Sequence, residues 1–448
     1  MGIFRAYDIR GIYPKELNEN LAYRIGLAFG KITRHGTIAL GMDARKSGPS
    51  LKKSLIKGLL ESGLHIIDVG MVPTPVFYFF VSHKKLDGGI CITGSHNPKE
   101  YNGFKIVGKN GVCLSYETGI NKIERLAKDI KSPKLKGKLE KRDIKDEYIQ
   151  YVADHIKVGR RLKVVIDAGN GIGGIIAPEL FRKLGCDVVE VFCEPDGDFP
   201  NHHPDPLVAK NLEHLQKKVR EVSADIGIAY DGDADRVGFV DEKGNIIPNN
   251  HAFALLIENV LKNKPGSKIL YEVLSSKLVE DVIRAWKGVP VLSRVGHSYI
   301  QQTMFKEGCA IGGETSGHYY FQEMYNNDDG IFASAKMIEL VSLGDKCVSE
   351  FTRHFPKYFT SNEKRVFCPD EKKFMVIEKL KEKFEREGYK IITIDGVKVI
   401  FDDGSWFIIR ASNTQPALVV RWESPSKEGF KKIEKFAIKE IKNCESLP

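Results

Sequence analysis

A serine in a tight polar loop is the first residue of this chain that could do covalent chemistry. Ser95 lies in Thr93-Gly94-Ser95-His96-Asn97-Pro98, directly after an apolar run over 89–92 that predicts a buried strand. Gly94 and Asn97-Pro98 favour a tight turn, which would present the serine hydroxyl at the end of that strand. A serine held in this way could be a nucleophile, but it could equally be an ordinary turn residue. The loop alone leaves both interpretations open.

Three aspartates at a spacing of two residues could bind a metal ion. Asp231, Asp233 and Asp235 follow a strand predicted over 225–230, and an extended backbone would place all three carboxylates on one side. Converging carboxylates repel one another unless a cation lies between them, and oxygen ligands suit Mg²⁺, Mn²⁺ or Ca²⁺. A metal beside a reacting phosphate is the leading interpretation, with Arg236 placed to contact that phosphate. A structural calcium loop and a solvated acidic turn remain alternatives, although an EF-hand loop needs glycine at the position of Arg236.

Two later loops carry side chains that could bind a phosphorylated sugar. In the first loop, Glu314 and Ser316 could bind neighbouring sugar hydroxyls, and His318 could act as an acid or a base. The second loop, over 410–416, combines one guanidinium, two hydroxyls and an amide, the composition of a phosphate-binding turn. Each loop, taken separately, could also be a surface turn.

A glycine-rich segment indicates a competing function. Gly169, Gly171 and Gly174 follow the strand predicted over 163–167 and satisfy the G-x-G-x-x-G pattern, and Glu190 comes about 20 residues later. An NAD-dependent dehydrogenase therefore has to be considered. The pattern alone is weak, because tight strand-to-helix turns use glycine for backbone reasons. A dehydrogenase would also leave the serine, aspartate and sugar-binding loops without a role.

The candidate residues follow strand-like runs that alternate with amphipathic helices. A strand followed by a turn and a helix begins near residue 37, again near 163 and again near 267. This repetition predicts three similar α/β units in which parallel sheets are covered by helices. After Val366 the order changes to a helix, several strands and a final helix, which predicts a smaller α+β domain with an antiparallel sheet. The charged stretch over 128–146 is the clearest linker.

Composition and charge narrow the classes of protein that this chain can represent. Its 448 residues suffice for three or four domains, and 42% hydrophobic with 28% charged residues is typical of a globular protein. The net charge of +9 comes from scattered residues, which argues against a nucleic-acid partner and suits an anionic small molecule. Eight cysteines without C-x-x-C spacing indicate a reducing compartment. With no signal-peptide pattern and no run of membrane-spanning length, we expect a cytoplasmic protein.

The loops taken together resemble the signatures of the α-D-phosphohexomutase superfamily, specifically its bacterial and archaeal phosphomannomutase/phosphoglucomutase branch. The matching segments occur in the family's order along the whole chain: Tyr7-Asp8-Ile9-Arg10-Gly11, TGSHNP, DGDADR, GETSGH and RASNTQP. Their shared order carries the resemblance, because each motif alone is short. The resemblance implies four domains around a central cleft, three related α/β units with mixed, mostly parallel sheets and a smaller C-terminal α+β domain. We place their boundaries at 1–147, 148–248, 249–364 and 365–448.

The resemblance also implies roles for individual residues. Ser95 would be the active-site phosphoserine, and one Mg²⁺ would be bound by Asp231, Asp233, Asp235 and that phosphate. The implied catalytic residues are Ser95, Arg10, Lys105, Arg236 and His318, and either Lys105 or His318 would accept the hydroxyl proton. The implied substrate-binding residues are Tyr7, His96, His297, Glu314, Ser316, Arg410, Ser412, Asn413 and Thr414.

The implied reaction interconverts hexose 1-phosphate and hexose 6-phosphate, of mannose, glucose or both. It would proceed through a phosphoserine enzyme and hexose 1,6-bisphosphate, which would also serve as an activator. The alternatives are a phosphoglucosamine mutase, which Ser412-Asn413-Thr414 disfavours, a phosphoserine-dependent sugar phosphatase and a non-enzymatic calcium-binding protein. Gln415 stands where many relatives have glutamate. The expected partners are small-molecule sugar phosphates, with no nucleic acid and no membrane, and we expect a monomer or a homodimer.

Overall fold

The structure of this chain is a computed structural model that describes residues 2–34, 36–412 and 415–445, with side chains as far as residue 442. Within these residues the strands form four sheets, each built from a consecutive stretch of the chain. Helices accompany every sheet, and the predicted α/β fold class is confirmed. None of the helices in this part of the chain is both long enough and apolar enough to cross a membrane.

The first unit contains a mixed sheet of six strands. These are β1 (Ile9–Ile12), β2 (Thr37–Met42), β3 (His65–Met71), β4 (Gly88–Ile92), β5 (Tyr101–Val107) and β6 (Lys138–Lys141). Their order is β1-β5-β4-β2-β3-β6. Strand β2 is parallel to β3 and β4, and β3 to β6, whereas β5 is antiparallel to β1 and β4. The helices are α1 (Glu19–Thr33), α2 (Gly48–Glu61), α3 (Thr74–His83) and α4 (Asn121–Asp129).

The second unit contains five strands in the order β11-β10-β9-β7-β8. The strands are β7 (Lys163–Asp167), β8 (Asp187–Val191), β9 (Ile226–Tyr230), β10 (Val237–Asp241) and β11 (Ile246–Ile247). Strand β7 is parallel to both β8 and β9, as the strand–helix–strand pattern predicts, whereas β9 and β10 are antiparallel. The helices of this stretch are α5 (Lys145–Asp154), α6 (Ala177–Lys183) and α7 (Glu213–Val222).

The third unit repeats this arrangement with four strands in the order β13-β12-β14-β15. The strands are β12 (Lys268–Glu272), β13 (Val289–Ser293), β14 (Ile311–Gly313) and β15 (Tyr319–Phe321). Strand β12 is parallel to β13 and β14, and β14 is antiparallel to β15. The helices are α8 (Asn249–Asn263), α9 (Lys277–Ala285), α10 (His297–Glu307), α11 (Gly330–Ser342) and α12 (Val348–Phe351).

The C-terminal unit has an antiparallel sheet, as predicted from its run of strands. Its strands are β16 (Phe359–Thr360), β17 (Lys364–Phe367), β18 (Lys390–Ile392), β19 (Val397–Ile400), β20 (Trp406–Ala411) and β21 (Ala417–Ser424). The order is β16-β21-β20-β19-β18, and β17 also pairs with β21. The helices are α13 (Lys373–Arg386) and α14 (Lys427–Glu445). Short 3₁₀ or π turns elsewhere in the chain lie at Lys109–Gly111, Tyr116–Ile120, Ile172–Ile175, Ala209–Leu212 and Gln322–Met324.

The four candidate loops occupy the same topological position in their units. Each loop follows the carboxyl end of a strand (β4, β9, β14 or β20) and leads into an antiparallel neighbour (β5, β10, β15 or β21). Each is therefore the connection of a hairpin rather than a strand-to-helix turn. The carboxyl ends of parallel strands are where α/β sheets present ligand-binding residues.

The apolar cores show which units are packed together. One apolar cluster extends through the first three units and includes Phe77, Tyr230 and Phe332. The C-terminal unit has its own cluster between its sheet and helices. A small cluster that includes Leu274 and Trp406 joins the third unit to the C-terminal unit. The first three units therefore form a continuous body, and the C-terminal unit contacts it through a smaller apolar interface.

Candidate active site

The loop that carries Ser95 is held from behind by a buried arginine. Ser95 has a φ of +46°, a conformation that costs a residue with a side chain about 1–3 kcal/mol. Nη2 of Arg45 donates to the carbonyl oxygens of Ser95 and Asn97, at 2.7 and 2.5 Å. Nη1 of Arg45 donates to those of Pro98 and Tyr101, at 2.6 and 2.8 Å. One guanidinium thus holds four carbonyl groups in the conformation that presents the serine.

Asp43 completes this support. Its carboxylate accepts a hydrogen bond from the backbone N–H of Gly94 at 3.0 Å and lies 3.3 Å from Nε of Arg45. A Cβ atom at position 94 would lie 2.2 Å from Cζ of Arg45, so only glycine fits there. Sequence reasoning missed both charged residues. The available signal was their position just after β2, which pairs with the strand that leads to Ser95.

The Ser95 hydroxyl points into the second unit. Its Oγ donates a hydrogen bond of 2.8 Å to Oδ2 of Asp231, and it lies 3.2 Å from Nδ1 of His96. The backbone N–H of Ser95 donates to Oγ1 of Thr93 at 2.8 Å. Burial lowers the pKa of His96 well below its usual value, and nearby Arg236 lowers it further. The neutral imidazole can therefore donate or accept one hydrogen bond at the serine oxygen.

The three aspartates converge because the chain turns sharply, and not because it is extended. The backbone N–H of Ala234 donates to the carbonyl oxygen of Asp231 at 3.1 Å, and Ala234 has a φ of +62°. One carboxylate oxygen of each of Asp231, Asp233 and Asp235 lies within 4.8 Å of the others, and all three side chains are buried. The extended backbone considered from the spacing of two is wrong, although the predicted clustering is present.

The electrostatics of this cluster fit a divalent cation. Burial raises the pKa of Asp231 well above its usual value, and the charges of Asp235 and Asp233 raise it further. Oδ1 of Asp233 is buried and lacks a hydrogen-bond partner among the described residues, whereas the buried Oδ1 of Asp235 lies 3.4 Å from Nε2 of His318. Buried carboxylates with free oxygens form a set of hard ligands that suits Mg²⁺. The described residues therefore contain an acidic group able to hold such an ion.

Lys105 supplies positive charge to the same cluster. It lies on β5, and its Nζ donates to Oδ2 of Asp233 at 2.9 Å and also to Asp235. Although burial opposes the charged ammonium, these two carboxylates raise the pKa of Lys105 well above its usual value. Thr74 and Thr93 donate to the same oxygen of Asp233, at 2.6 and 3.0 Å. Neither threonine was recognised from the sequence as a partner of the aspartate cluster.

His318 lies between the sugar-binding loop and the aspartates. Its Nδ1 is 2.8 Å from Oγ of Ser316 and 3.3 Å from Oε2 of Glu314, and its Nε2 is 3.4 Å from Oδ1 of Asp235. Burial opposes the charged ring, but the charge of Asp235 and the close contacts with Asp235 and Glu314 raise the pKa of His318 to about 10. Arg236 forms an isolated β-bridge with His318, and its N–H donates to Asp231. The structure thus brings the second and third candidate loops together.

Glu314 is held by its neighbours in the third unit. Its carboxylate accepts hydrogen bonds from the N–H of Gly296 at 3.0 Å and the hydroxyl of Tyr320 at 2.7 Å. Burial opposes ionisation, but His318 and these donors lower the pKa of Glu314 to about 2. An ionised glutamate is a good acceptor for sugar hydroxyls. Tyr320 was not among the predicted site residues.

The N-terminal segment and the third unit meet at His297. Its Nε2 lies 3.2 Å from the carbonyl oxygen of Tyr7, and the two rings meet edge to face with centroids 5.1 Å apart. Burial lowers the pKa of His297 to about 4. Nη2 of Arg10 donates to Asp8 at 2.7 Å, and this carboxylate raises the pKa of Arg10 despite burial. Tyr7, Arg10 and His297 therefore lie at one end of the same site.

The C-terminal unit contributes Arg410 and Ser412, whereas Asn413 and Thr414 lie outside the described residues. Nε of Arg410 donates to Oδ2 of Asp395 at 3.1 Å. The same carboxylate oxygen accepts a hydrogen bond from the N–H of Val295 at 3.0 Å. Asp395 thus connects the phosphate-binding candidate to the segment that precedes His297, a role that no pattern in the sequence indicates.

These side chains line one cleft of about 770 Å³ between the units. The predicted residues on its surface are Tyr7, Arg10, Ser95, His96, Lys105, Asp235, Arg236, His297, Glu314, Ser316, His318, Arg410 and Ser412. Asp231 and Asp233 are buried directly beneath Ser95 and Lys105. Cleft residues that sequence reasoning missed include Arg5, Asp205, Glu272, Arg365 and Arg421.

The glycine-rich segment at 169–174 has a structural explanation. A Cβ atom on Gly171 would lie 2.9 Å from the backbone of Gly232, and one on Gly174 would lie 1.9 Å from the carbonyl oxygen of Cys193. These glycines let the turn pack closely against neighbouring backbone, including the aspartate loop. Close backbone packing therefore accounts for these glycines without a bound dinucleotide.

Comparison with family models agrees with this architecture in each of the four units. The four Phosphoglucomutase/phosphomannomutase models match in order: alpha/beta/alpha domain I at 1–134, domain II at 146–244, domain III at 248–358 and the C-terminal domain at 363–440.

Named relatives and a solved structure show the same similarity over nearly the full length of the chain. A phosphomannomutase/phosphoglucomutase of Pseudomonas syringae pv. tomato is 41% identical, over 98% of this chain and 95% of its own. A phosphoglucomutase of Neisseria meningitidis is 41% identical, over 96% and 95%. The crystal structure of a phosphoglucomutase/phosphomannomutase family protein from Burkholderia thailandensis superposes with a TM-score of 0.92 at 35% identity, covering 99% and 98% of the two chains.

Proposed function

The chain belongs to the phosphoglucomutase/phosphomannomutase family, and from this we propose that it interconverts hexose 1-phosphates and hexose 6-phosphates of glucose, mannose or both. One observation carries the proposal for this chain. The Ser95 hydroxyl, the aspartate cluster, Glu314 and Arg410 share a single cleft although they come from four different units. Phosphoryl transfer needs a nucleophile, charge stabilisation and firm positioning of the sugar, and the cleft offers a group for each.

We propose that Asp231, Asp233 and Asp235 hold one Mg²⁺ together with a phosphoryl group on Ser95. Such an ion would supply electrostatic stabilisation of the charge on the transferring phosphoryl group. The supporting observation is the buried Oδ1 of Asp233, which lacks a hydrogen-bond partner among the described residues and lies in the cluster of carboxylate oxygens with Asp231 and Asp235. Arg236 and Lys105 would add fixed positive charge on the same side of the cleft.

The proposed first step transfers the phosphoryl group from Oγ of Ser95 to the free hydroxyl of the bound hexose phosphate. The bond between Oγ and phosphorus breaks, the sugar oxygen forms the new bond to phosphorus, and Oγ takes up a proton to become the free Ser95 hydroxyl. The product is a hexose 1,6-bisphosphate. The hydroxyl proton goes to Lys105 or His318 once that group is neutral. Asp235 contacts both side chains and therefore influences the proton affinity of each.

In the second step Oγ of Ser95 attacks the other phosphate of the bisphosphate and loses its proton. The bond between that phosphorus and the sugar oxygen breaks, so that the phosphoserine forms again and the isomeric hexose monophosphate is released with a hydroxyl at that position. Glu314 and Ser316 would bind the sugar hydroxyls in both orientations, and Arg410 and Ser412 would bind whichever phosphate is not being transferred. Asn413 and Thr414 remain proposed members of that set. Because the C-terminal unit has its own core and a smaller apolar interface with the third unit, we propose that it closes over the substrate. Added hexose 1,6-bisphosphate would act as an activator.

Unit boundaries, an oligomeric state and a cellular location are also proposed for the enzyme. We propose that the four units have the boundaries 1–147, 148–248, 249–364 and 365–448, and that the chain works in the cytoplasm as a monomer or homodimer on free sugar phosphates. The Tyr7 ring, which packs edge to face against His297, would form part of the wall around the sugar.

A phosphorus NMR assay tests the reaction directly. The purified protein with Mg²⁺ and a trace of glucose 1,6-bisphosphate is given glucose 1-phosphate, mannose 1-phosphate or glucosamine 1-phosphate in separate samples. We expect the 6-phosphates of glucose or mannose to form without release of inorganic phosphate. Steady release of inorganic phosphate would instead indicate a phosphatase, and turnover of glucosamine 1-phosphate alone would indicate a phosphoglucosamine mutase. Calcium binding without turnover of any of the three would contradict an enzymatic role.

A further inference from the structure

An arginine outside the signature loops lines the part of the cleft formed by the C-terminal unit. Arg365 lies on β17, where it is paired with Val419 of β21, and both residues line the cleft. Nη1 of Arg365 donates a hydrogen bond of 2.9 Å to Oε1 of Gln415, which belongs to the loop that also contains Arg410 and Ser412. The guanidinium of Arg365 is therefore hydrogen-bonded to the candidate phosphate-binding loop, on the side of that loop that faces the cleft.

We propose that Arg365 is a further phosphate-binding residue, which contacts the phosphate that is not being transferred. This inference rests on the proposed function, because it assigns Arg365 to the substrate of that reaction. The planar guanidinium can offer two parallel N–H donors to a phosphate, which a lysine ammonium cannot.

The present partners of Arg365 leave it able to bind an anion. Its ion pair with Glu363, at 2.6 Å, is formed by side chains that are 47% and 35% exposed. Such exposed pairs are screened by water and contribute little, so a phosphate dianion can replace Glu363 at small cost. Gln415 holds the guanidinium by a neutral amide oxygen and does not neutralise its charge.

The identity of residue 415 sets the charge that Arg365 presents to the cleft. A glutamate at this position would form an ion pair with Arg365 and would add a negative charge beside the phosphate. The glutamine of this chain avoids both effects while keeping the hydrogen bond. Arg365 and Gln415 therefore act as a pair that increases the positive potential of the C-terminal phosphate subsite.

The neighbouring residue offers a matched control. Lys364 precedes Arg365 on β17, and successive side chains of a strand point to opposite faces. Its Nζ lies over the ring of Trp422 at 4.9 Å from the centroid, and it is not among the residues that line the cleft. Lys364→Gln therefore removes the same charge from the same strand without removing a donor from the cleft.

The test is calorimetric titration of glucose 1-phosphate into the wild type, Arg365→Gln, Gln415→Glu, Arg365→Gln/Gln415→Glu and Lys364→Gln. We expect the Kd to rise about tenfold in Arg365→Gln, the size of effect that loss of a charge-assisted hydrogen bond produces. Gln415→Glu should weaken binding in the same direction and should have a smaller effect when Arg365 is already replaced. Lys364→Gln should bind like the wild type, and KM in the mutase assay should follow Kd while kcat stays within about twofold.

The outcomes separate this inference from the proposed function. Unchanged binding in Arg365→Gln or in Gln415→Glu overturns the inference, and so does equal weakening in Lys364→Gln. If the wild type binds glucose 1-phosphate without isomerising it, the proposed function fails, while the comparison of Kd values still decides the role of Arg365. Absence of binding by the folded wild type overturns both.

Discussion

Oγ of Ser95 donates a hydrogen bond of 2.8 Å to Oδ2 of Asp231, which lies 136 residues later in the chain. This contact joins the hairpin loop of the first sheet to that of the second, and both side chains are buried. The proposed phosphate carrier and the proposed metal-binding cluster are therefore positioned by one another. A change in either loop should therefore affect both functions.

Ser95→Ala should abolish hexose phosphate isomerisation while the protein remains folded. The variant loses the oxygen that would carry the phosphoryl group, and no other hydroxyl replaces it in the proposed mechanism. Phosphorus NMR of the reaction measures the loss of isomerisation. Mass spectrometry of the protein after incubation with glucose 1,6-bisphosphate measures the loss of protein phosphorylation. Ser132→Ala, in the segment between α4 and β6, serves as the control and should keep both activities. Near-normal turnover by Ser95→Ala would contradict the covalent mechanism.

Asp233→Asn should lower the affinity for a divalent cation by at least about tenfold, because one of three clustered negative charges is removed. The side chain keeps its size, and Thr74 and Thr93 can still donate to its remaining oxygen. Electron paramagnetic resonance of bound Mn²⁺ measures affinity independently of turnover. Asp198→Asn, which alters an exposed carboxylate paired with Lys46, is the matched control. Equal Mn²⁺ affinity in both variants would remove Asp233 from the ligand set.

Arg45→Ala should destabilise the protein by about 3–5 kcal/mol, because the variant leaves the Asp43 carboxylate buried without its partner. Four carbonyl groups of the serine loop also lose their donor. Arg45→Lys should be intermediate, since a single ammonium keeps the charge but cannot reach all four oxygens. Urea unfolding measures stability, and kcat of the lysine variant reports the position of Ser95.

Arg182→Ala is the control for this pair of variants. Arg182 is exposed and paired only with Glu190 among the described ion pairs, so its removal should change stability by less than about 1 kcal/mol. If Arg45→Lys had the wild-type kcat, the guanidinium of Arg45 would not be needed to position Ser95.

Asp329 should make the stability of the protein depend on pH. It caps α11 by accepting the N–H of Phe332 at 2.8 Å, and both of its oxygens lie 2.9 Å from the hydroxyl of Tyr148. Burial outweighs these donors and raises the pKa of Asp329 to about 7. The unfolded chain loses this proton near pH 4, so between about pH 4 and pH 7 the folded state binds the proton more tightly. The stability contribution of this proton is complete below pH 4 and is lost as the pH rises through 7.

Asp329→Asn should remove that dependence while keeping the helix cap, since asparagine caps helices as well as aspartate. The unfolding free energy of the variant minus that of the wild type should increase by up to about 4 kcal/mol as the pH rises from 4 to 8. Urea unfolding at four pH values, with Asp143→Asn as an exposed control, measures the difference. A difference that does not change with pH would contradict the prediction.

Arg410→Ala should raise KM for glucose 1-phosphate by about tenfold or more and change kcat less, because the proposed contact is to the phosphate that is not transferred. Asp395→Asn should raise KM by a smaller factor, since Arg410 is kept but loses the carboxylate that orients it. Arg386→Ala, on the exposed end of α13, is the control. An unchanged KM in Arg410→Ala would exclude this residue from the phosphate subsite.

Much of the local structure was predictable from neighbouring residues. The apolar run at Lys163–Asp167 was correctly predicted as a strand, and the helices near 50–62 and 371–387 were found within a few residues of their bounds. Apolar periodicity and turn residues act over a few positions, so a sequence pattern contains them. The order of the short motifs along the chain was similarly sufficient to indicate the family.

The contacts that join the loops were not predictable in this way. The supports of the serine loop (Asp43 and Arg45), the partners of Asp233 (Thr74 and Thr93) and the bridge through Asp395 all join residues or loops that are distant in sequence. The aspartates converge through a turn, although their spacing favoured an extended backbone. The first three candidate loops lie in hairpins of mixed sheets, although the strand–helix–strand pattern favoured parallel neighbours. Residue types and their order therefore indicate the chemistry, because they are local properties of the chain. The shared cleft depends on long-range packing of four units, because burial and charge pairing between distant segments determine which loops meet.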